Sequence, residues 1–126
     1  MKRNSGFTLI ELMVVVVIVA ILVGLALPAY TAWIREARRN DAQSTLLNWA
    51  NNQEIWRSNN TSYATGTITP ASSSFYSFSI TADATTYTLT ATPQGSQADD
   101  VETGTPCTSL TLDQSGAKSP ADCWGE

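Results

Sequence analysis

Glu11 is the one ionisable side chain in an otherwise apolar run from Phe7 to Leu27, FTLIELMVVVVIVAILVGLAL. A charge at the centre of a membrane helix costs about 2.5–3.5 kcal/mol on insertion scales, and ionisable groups there are usually paired. Four residues upstream stands Phe7, preceded by Gly6. A cut between Gly6 and Phe7 gives Phe7 a cationic amine. The segment then carries a carboxylate and an amine that only proteolysis creates, at a spacing that permits pairing within one helix. The alternative is a Glu11 that simply rests at the lipid interface.

The remaining chemistry-bearing residues are few. Cys107 and Cys123 stand 16 positions apart, and the chain has no histidine. This composition nearly excludes zinc sites and histidine-based triads. With an export signal at the N-terminus, it argues for a Cys107–Cys123 disulfide in an oxidising compartment. Such a bridge contributes about 3 kcal/mol in the chain-entropy model. Asp99, Asp100 and Glu102 have the oxygen chemistry of a calcium site, but a solvated acidic loop is the expectation. No phosphate loop or nucleophile elbow is present, so no catalytic residue, metal or cofactor is assigned and the chain is not read as an enzyme.

Charge points the same way. The formal net charge is -4. From Ser58 on, Lys118 is the only base against Asp83, Asp99, Asp100, Glu102, Asp113, Asp122 and Glu126. Phosphate recognition needs clustered Lys and Arg, so no direct nucleic-acid binding is expected. Arg35, Arg38 and Arg39 form a small basic patch that Glu36 and Asp41 partly offset. It reads either as a solvated helix face or as charges that pair between subunits.

These residues need elements to position them. The 21 residues from Phe7 to Leu27 make a helix of about 32 Å, enough for a hydrocarbon core of about 30 Å. Lipid forces helix on this Val- and Ile-rich run because a single segment must satisfy its own backbone. Gly24 and Pro28 mark an expected helix break, since Pro28 lacks a backbone donor. A conventional signal cut near Ala26 or Ala29 is disfavoured by Pro28 and by Glu11 inside the run.

Tyr30 to about Ser58 continues as helix, with Ala42, Leu46, Trp49 and Trp56 along one stripe that Leu47, Ala50 and Ile55 widen. Arg38, Arg39, Asn48, Asn51, Asn52 and Arg57 are expected on the other face. The run Ser58–Ser62 stops the helix and contains two N-glycosylation patterns, for which no use is expected. Beyond Gly66, Tyr76/Phe78/Ile80, Tyr87/Leu89/Ala91 and Leu110/Leu112 predict the inward faces of three antiparallel strands. A long polar connection from Gln94 to Pro106 separates the second and third. These strands, laid on the helix stripe, make a small α+β head.

The stretch GFTLIELMVVVVIVAILVGLALPAY resembles the class III signal of type IV pilins and pseudopilins, with Gly6, Phe7, Thr8, Leu9, Ile10, Glu11 and Pro28 matching the pattern. The head segments Asn59–Ala64, Thr86–Pro93, Cys107 with Leu110–Gly116, and Cys123-Trp124 are similar to PilE-type minor pilins and ComP-like relatives of Gram-negative bacteria. The resemblance implies a pilin fold: a long N-terminal helix, half transmembrane and half amphipathic, on a small antiparallel sheet with a C-terminal disulfide loop. It implies a leader at residues 1–6, a transmembrane and polymerisation helix at 7–28 and a head at 29–126, in which helix runs to 58 and sheet and disulfide loop fill 59–126. A prepilin peptidase would cut after Gly6 and methylate Phe7, with Lys2 and Arg3 holding the leader in the cytoplasm.

The subunit would wait in the inner membrane with its head in the periplasm. It would then join other pilin subunits in a filament at the cell surface through the assembly machinery, Glu11 of one subunit neutralising the Phe7 amine of its neighbour. The function so implied is a pilus subunit, PilE-like and minor, serving adhesion and twitching motility. A ComP-like DNA-uptake pilin and a type II secretion pseudopilin are the alternatives.

Overall fold

The computed structural model describes residues 5–125. They form helix α1 (Leu9–Asn59), strands β1 (Tyr76–Ala82), β2 (Tyr87–Pro93), β3 (Val101–Glu102), β4 (Thr105–Pro106), β5 (Leu110–Asp113) and β6 (Lys118–Ser119), and two short 3-10 turns, Gly95–Asp99 and Ala121–Cys123. The chain separates into two compact units between Ile34 and Arg35.

In the first unit α1 carries aliphatic side chains on every face, and all of them are exposed except Ile34, which is half-buried. A helix apolar all round has no stripe with which to prefer one side of a soluble core. It is long and apolar enough to cross a membrane. The expected helix break at Gly24 and Pro28 is not observed: α1 runs unbroken through both. Pro28 gives no N–H to the carbonyl four residues back, which is that of Gly24, while Thr31 Oγ1 donates to the Leu27 carbonyl at 3.0 Å.

In the second unit α1 buries one face only: Arg39, Ala42, Gln43, Leu46, Trp49 and Gln53. Trp56 and Ala50 are half-buried, whereas Leu47 and Ile55, expected to widen the stripe, are exposed. Polar side chains take their place in the core because each has a specific partner. Gln53 grips the backbone of Ala64 twice, donating to its carbonyl at 2.8 Å and accepting from its N–H at 2.9 Å. Gln43 donates to the Cys123 carbonyl. A buried amide so satisfied is tolerated; left unpaired it would cost roughly 1–3 kcal/mol. The helix ends as its polar run predicts: Ser58 Oγ and Asn60 Nδ2 donate to the carbonyls of Ile55 and Trp56, at 2.6 and 2.7 Å. The last turn thereby gains side-chain donors for its carbonyls, where the helical donors run out.

The sheet is antiparallel in the order β1-β2-β5-β6, with Ile80 opposite Leu89 and Leu89 opposite Leu112. Tyr87, Leu89 and Ala91 on β2 and Leu110 and Leu112 on β5 point into the core with Leu46 and Trp49. The three expected strands are present. β6 is additional, two residues long and paired with Thr111 and Leu112. The connection after β2 is not plain loop: it holds a 3-10 turn and the β3–β4 hairpin. Thr103 and Gly104 form that hairpin's turn with φ of 47° and 83°, the left-handed pair of a tight type I′ connection.

Candidate assembly segment

The segment expected to be processed begins outside the helix. Gly6 and Phe7 are non-helical and exposed, and α1 starts at Leu9. Thr8 caps it: Thr8 Oγ1 accepts from the Glu11 backbone N–H at 3.1 Å, and the Thr8 carbonyl takes the first helical bond from Leu12 at 3.1 Å. Glu11 therefore stands in the first turn with its side chain exposed, where the helix dipole favours a carboxylate. Among the described residues it has no ion-pair partner; the pairs found there all belong to Arg39. Lys2 and Arg3 lie outside the described residues. In the sequence Thr8 reads only as part of the signal pattern and not as a cap, although Thr-x-x-Glu ahead of an apolar run is the signature of a capping box.

The basic patch is not a patch. Arg39, expected on the outer face, is 3% exposed. It donates through Nη1 to Asp100 and through Nη2 to Glu102, both at 2.7 Å. Asp100 is also 3% exposed, which corrects the reading of Asp99–Glu102 as a wholly solvated loop. Burial opposes the Arg39 charge, but hydrogen bonds and attraction from the two carboxylates outweigh it and raise its pKa above the ordinary value. Nη1 also lies 3.6 Å from Cys107 Sγ, so the ion pair abuts the disulfide.

Arg38 lies with its guanidinium 3.7 Å from the Phe75 ring centre. The Arg35 carbonyl accepts from Gln97 Nε2 at 2.8 Å, and the same amide reaches the Tyr76 hydroxyl at 3.0 Å. No local pattern in the sequence announces these partnerships, since they join positions from 21 to 62 residues apart.

Cys107 and Cys123 are bridged, with both residues fully buried. The bridge brings in Trp124, whose indole donates to the Ser119 carbonyl at 3.1 Å, with the Lys118 ammonium 5.4 Å from its ring. Two turns are closed by carboxylates. Asp83 Oδ1 accepts from the backbone of Thr85 and Thr86, at 2.9 and 2.8 Å. Asp113 Oδ1 accepts from Ser115 and Ala117, at 2.9 and 3.0 Å. These bonds hold both carboxyls below their ordinary pKa, the backbone bond from Thr85 leading for Asp83 and the Ser115 hydroxyl for Asp113. No group of three or more candidate metal ligands occurs among the described residues.

An exposed, capped, carboxylate-bearing apolar helix followed by a disulfide-closed α+β head is matched by known families. Residues 28–111 match the family described as type IV minor pilin ComP, DNA uptake sequence receptor, and residues 1–27 match the prokaryotic N-terminal methylation motif. The chain belongs to this family of type IV pilins. A type IV pilin structure from Shewanella oneidensis superposes with a TM-score of 0.61 at 37% identity, covering 73% of this chain and 99% of that one. A Neisseria meningitidis fimbrial protein is 42% identical over 66 residues, 47% of this chain and 39% of the relative. Prepilin peptidase-dependent protein D of Escherichia coli is 47% identical over 47 residues, 37% of this chain and 32% of the relative. The chain thus spans about a third of the length of these curated relatives. The pilin fold expected from sequence is the fold observed.

Proposed function

We propose that this type IV pilin is a minor subunit of a surface filament, processed between Gly6 and Phe7, methylated on Phe7 and assembled through Glu11. The observation that carries this is the start of α1. Gly6 and Phe7 form an exposed non-helical entry that a peptidase can grip, and Thr8, the second residue after the cut, caps the helix. Glu11 stands one turn inside with no partner among the described residues. Removal of residues 1–6 leaves the Thr8 cap intact and creates the one cation the segment lacks. The partners on this reading are a prepilin peptidase with methyltransferase activity, neighbouring pilin subunits and the assembly machinery of an inner membrane. Replacing Glu11 by Ala should leave processing intact and strongly reduce incorporation into filaments. Normal incorporation of the variant would overturn the pairing.

Arg39 occupies two of the three acids considered for calcium, which supports a pilin over a metal-stabilised pseudopilin. Thermal melts of the protein with calcium or chelator separate the two readings.

A second reading has an observation in its favour, the match of residues 28–111 to a family described as a DNA uptake sequence receptor. Electrostatics oppose it here. From Arg35 onward five basic side chains face ten acidic ones, and Arg39 is buried in its own ion pairs. Filter binding of duplex DNA decides: salt-sensitive submicromolar affinity would establish the receptor reading.

A further inference from the structure

Phe7, Tyr30 and Trp33 are the only aromatic residues in the stretch from Ser5 to Ile34, and they bracket its apolar run. Tyr30 and Trp33 are 58% and 63% exposed, with ring centres 6.2 Å apart. They sit three positions apart on one side of α1, so they present a joint face. Between Glu11 and Tyr30 no side chain is polar. Tyr30 follows Glu11 by nineteen positions, a helical rise of about 29 Å, close to the roughly 30 Å of a hydrocarbon core. Tyr and Trp concentrate at the membrane–water interface because each joins an apolar ring to a hydrogen-bonding edge.

We propose that Tyr30 and Trp33 form an interfacial anchor that seats in the headgroup layer of one leaflet and holds Glu11 at the opposite interface. The partner is a lipid surface, and the proposal rests on the membrane reading of the apolar helix. It makes the depth of Glu11 a property of residues about five to six turns away. With both ends at interfaces, the unassembled subunit keeps its carboxylate hydrated. Leaving the bilayer then requires withdrawal of the aromatic pair from one face and passage of Glu11 through the apolar core.

The test uses the full chain in phosphatidylethanolamine/phosphatidylglycerol vesicles doped with phosphatidylcholine brominated near either the ester or the methyl end of its acyl chains. Trp33→Phe supplies the background from Trp49, Trp56 and Trp124, which is subtracted. Quenching of Trp33 about twofold stronger from the ester-end bromines is expected; equal or stronger quenching from the methyl-end bromines overturns the anchor. A second readout uses Glu11→Cys, whose thiol is single because the native cysteines are bridged. It should react with an impermeant maleimide supplied on both faces of the bilayer, and adding Tyr30→Leu with Trp33→Leu should slow that reaction several-fold. Labelling that is absent at the outset, or unchanged by the double substitution, overturns the coupling. Failure of the chain to float with the vesicles would instead remove the membrane reading on which the proposal stands.

Discussion

From Ser5 to Trp33 the chain exposes every aliphatic side chain it has; from Arg35 on it buries a mixed face of Leu46, Trp49, Arg39, Gln43 and Gln53. The same helix passes through both units under different rules. In the first, the sequence is uniform and the backbone satisfies itself, so the surroundings supply the stability. In the second, stability comes from particular partners, many polar and far apart in sequence. Substitutions should therefore be graded steeply in the head and act on the first unit mainly through its ends.

The sharpest break of that contrast is Arg39→Ala. It strands the Asp100 carboxylate at 3% exposure, and loss of one member of a buried pair costs about 3–5 kcal/mol. Chemical denaturation of the protein should record a loss of that size. A loss below about 1 kcal/mol would class the pair with surface ion pairs. Next comes Cys107→Ser, which opens the bridge to Cys123 and should cost about 3 kcal/mol in the same measurement. An unchanged midpoint would mean that the loop is held by Trp124 and Gln43 alone.

The smaller effects test the ends of elements. Thr8→Ala removes the acceptor for the Glu11 amide, and loss of such a cap costs about 1 kcal/mol. Faster hydrogen exchange confined to the first turn in detergent micelles is the expected result, with the head unaffected.

The pH dependence is gentler still. Asp83 and Asp113 have pKa values below the ordinary carboxylate value of about 4. Their contribution is complete above that value and fades as the pH falls through their folded values, because the unfolded chain then binds protons more tightly. At the alkaline end, burial and then the nearby Glu54 push Tyr87 up to about 12. Its contribution is complete below the ordinary tyrosine value of about 10 and is lost as the pH rises through its folded value. Melting temperature against pH should fall at both ends. Asp83→Asn should soften the acid limb, and Tyr87→Phe the alkaline one.

The contrast also governs what could be read in advance. Glu11, Phe7 and the apolar run are legible because the whole pattern is local and one-dimensional. The inward faces of β1, β2 and β5 are legible because alternation has a fixed period. Arg39, Asp100, Gln53 and Gln97 were not, since a buried polar residue looks like a surface one until its partner is known, and each partner lies in another element. Leu47 and Ile55 failed the opposite way: they fit the apolar pattern but sit beyond the edge of the face that the sheet covers. β6 is too short for any periodicity.

The central claim is that this helix is made competent by proteolysis. Mass analysis of the N-terminal peptide from native filaments tests it most directly. N-methylated Phe7 as the first residue is the predicted result. A mature chain that begins at Met1, or beyond Pro28, would contradict it.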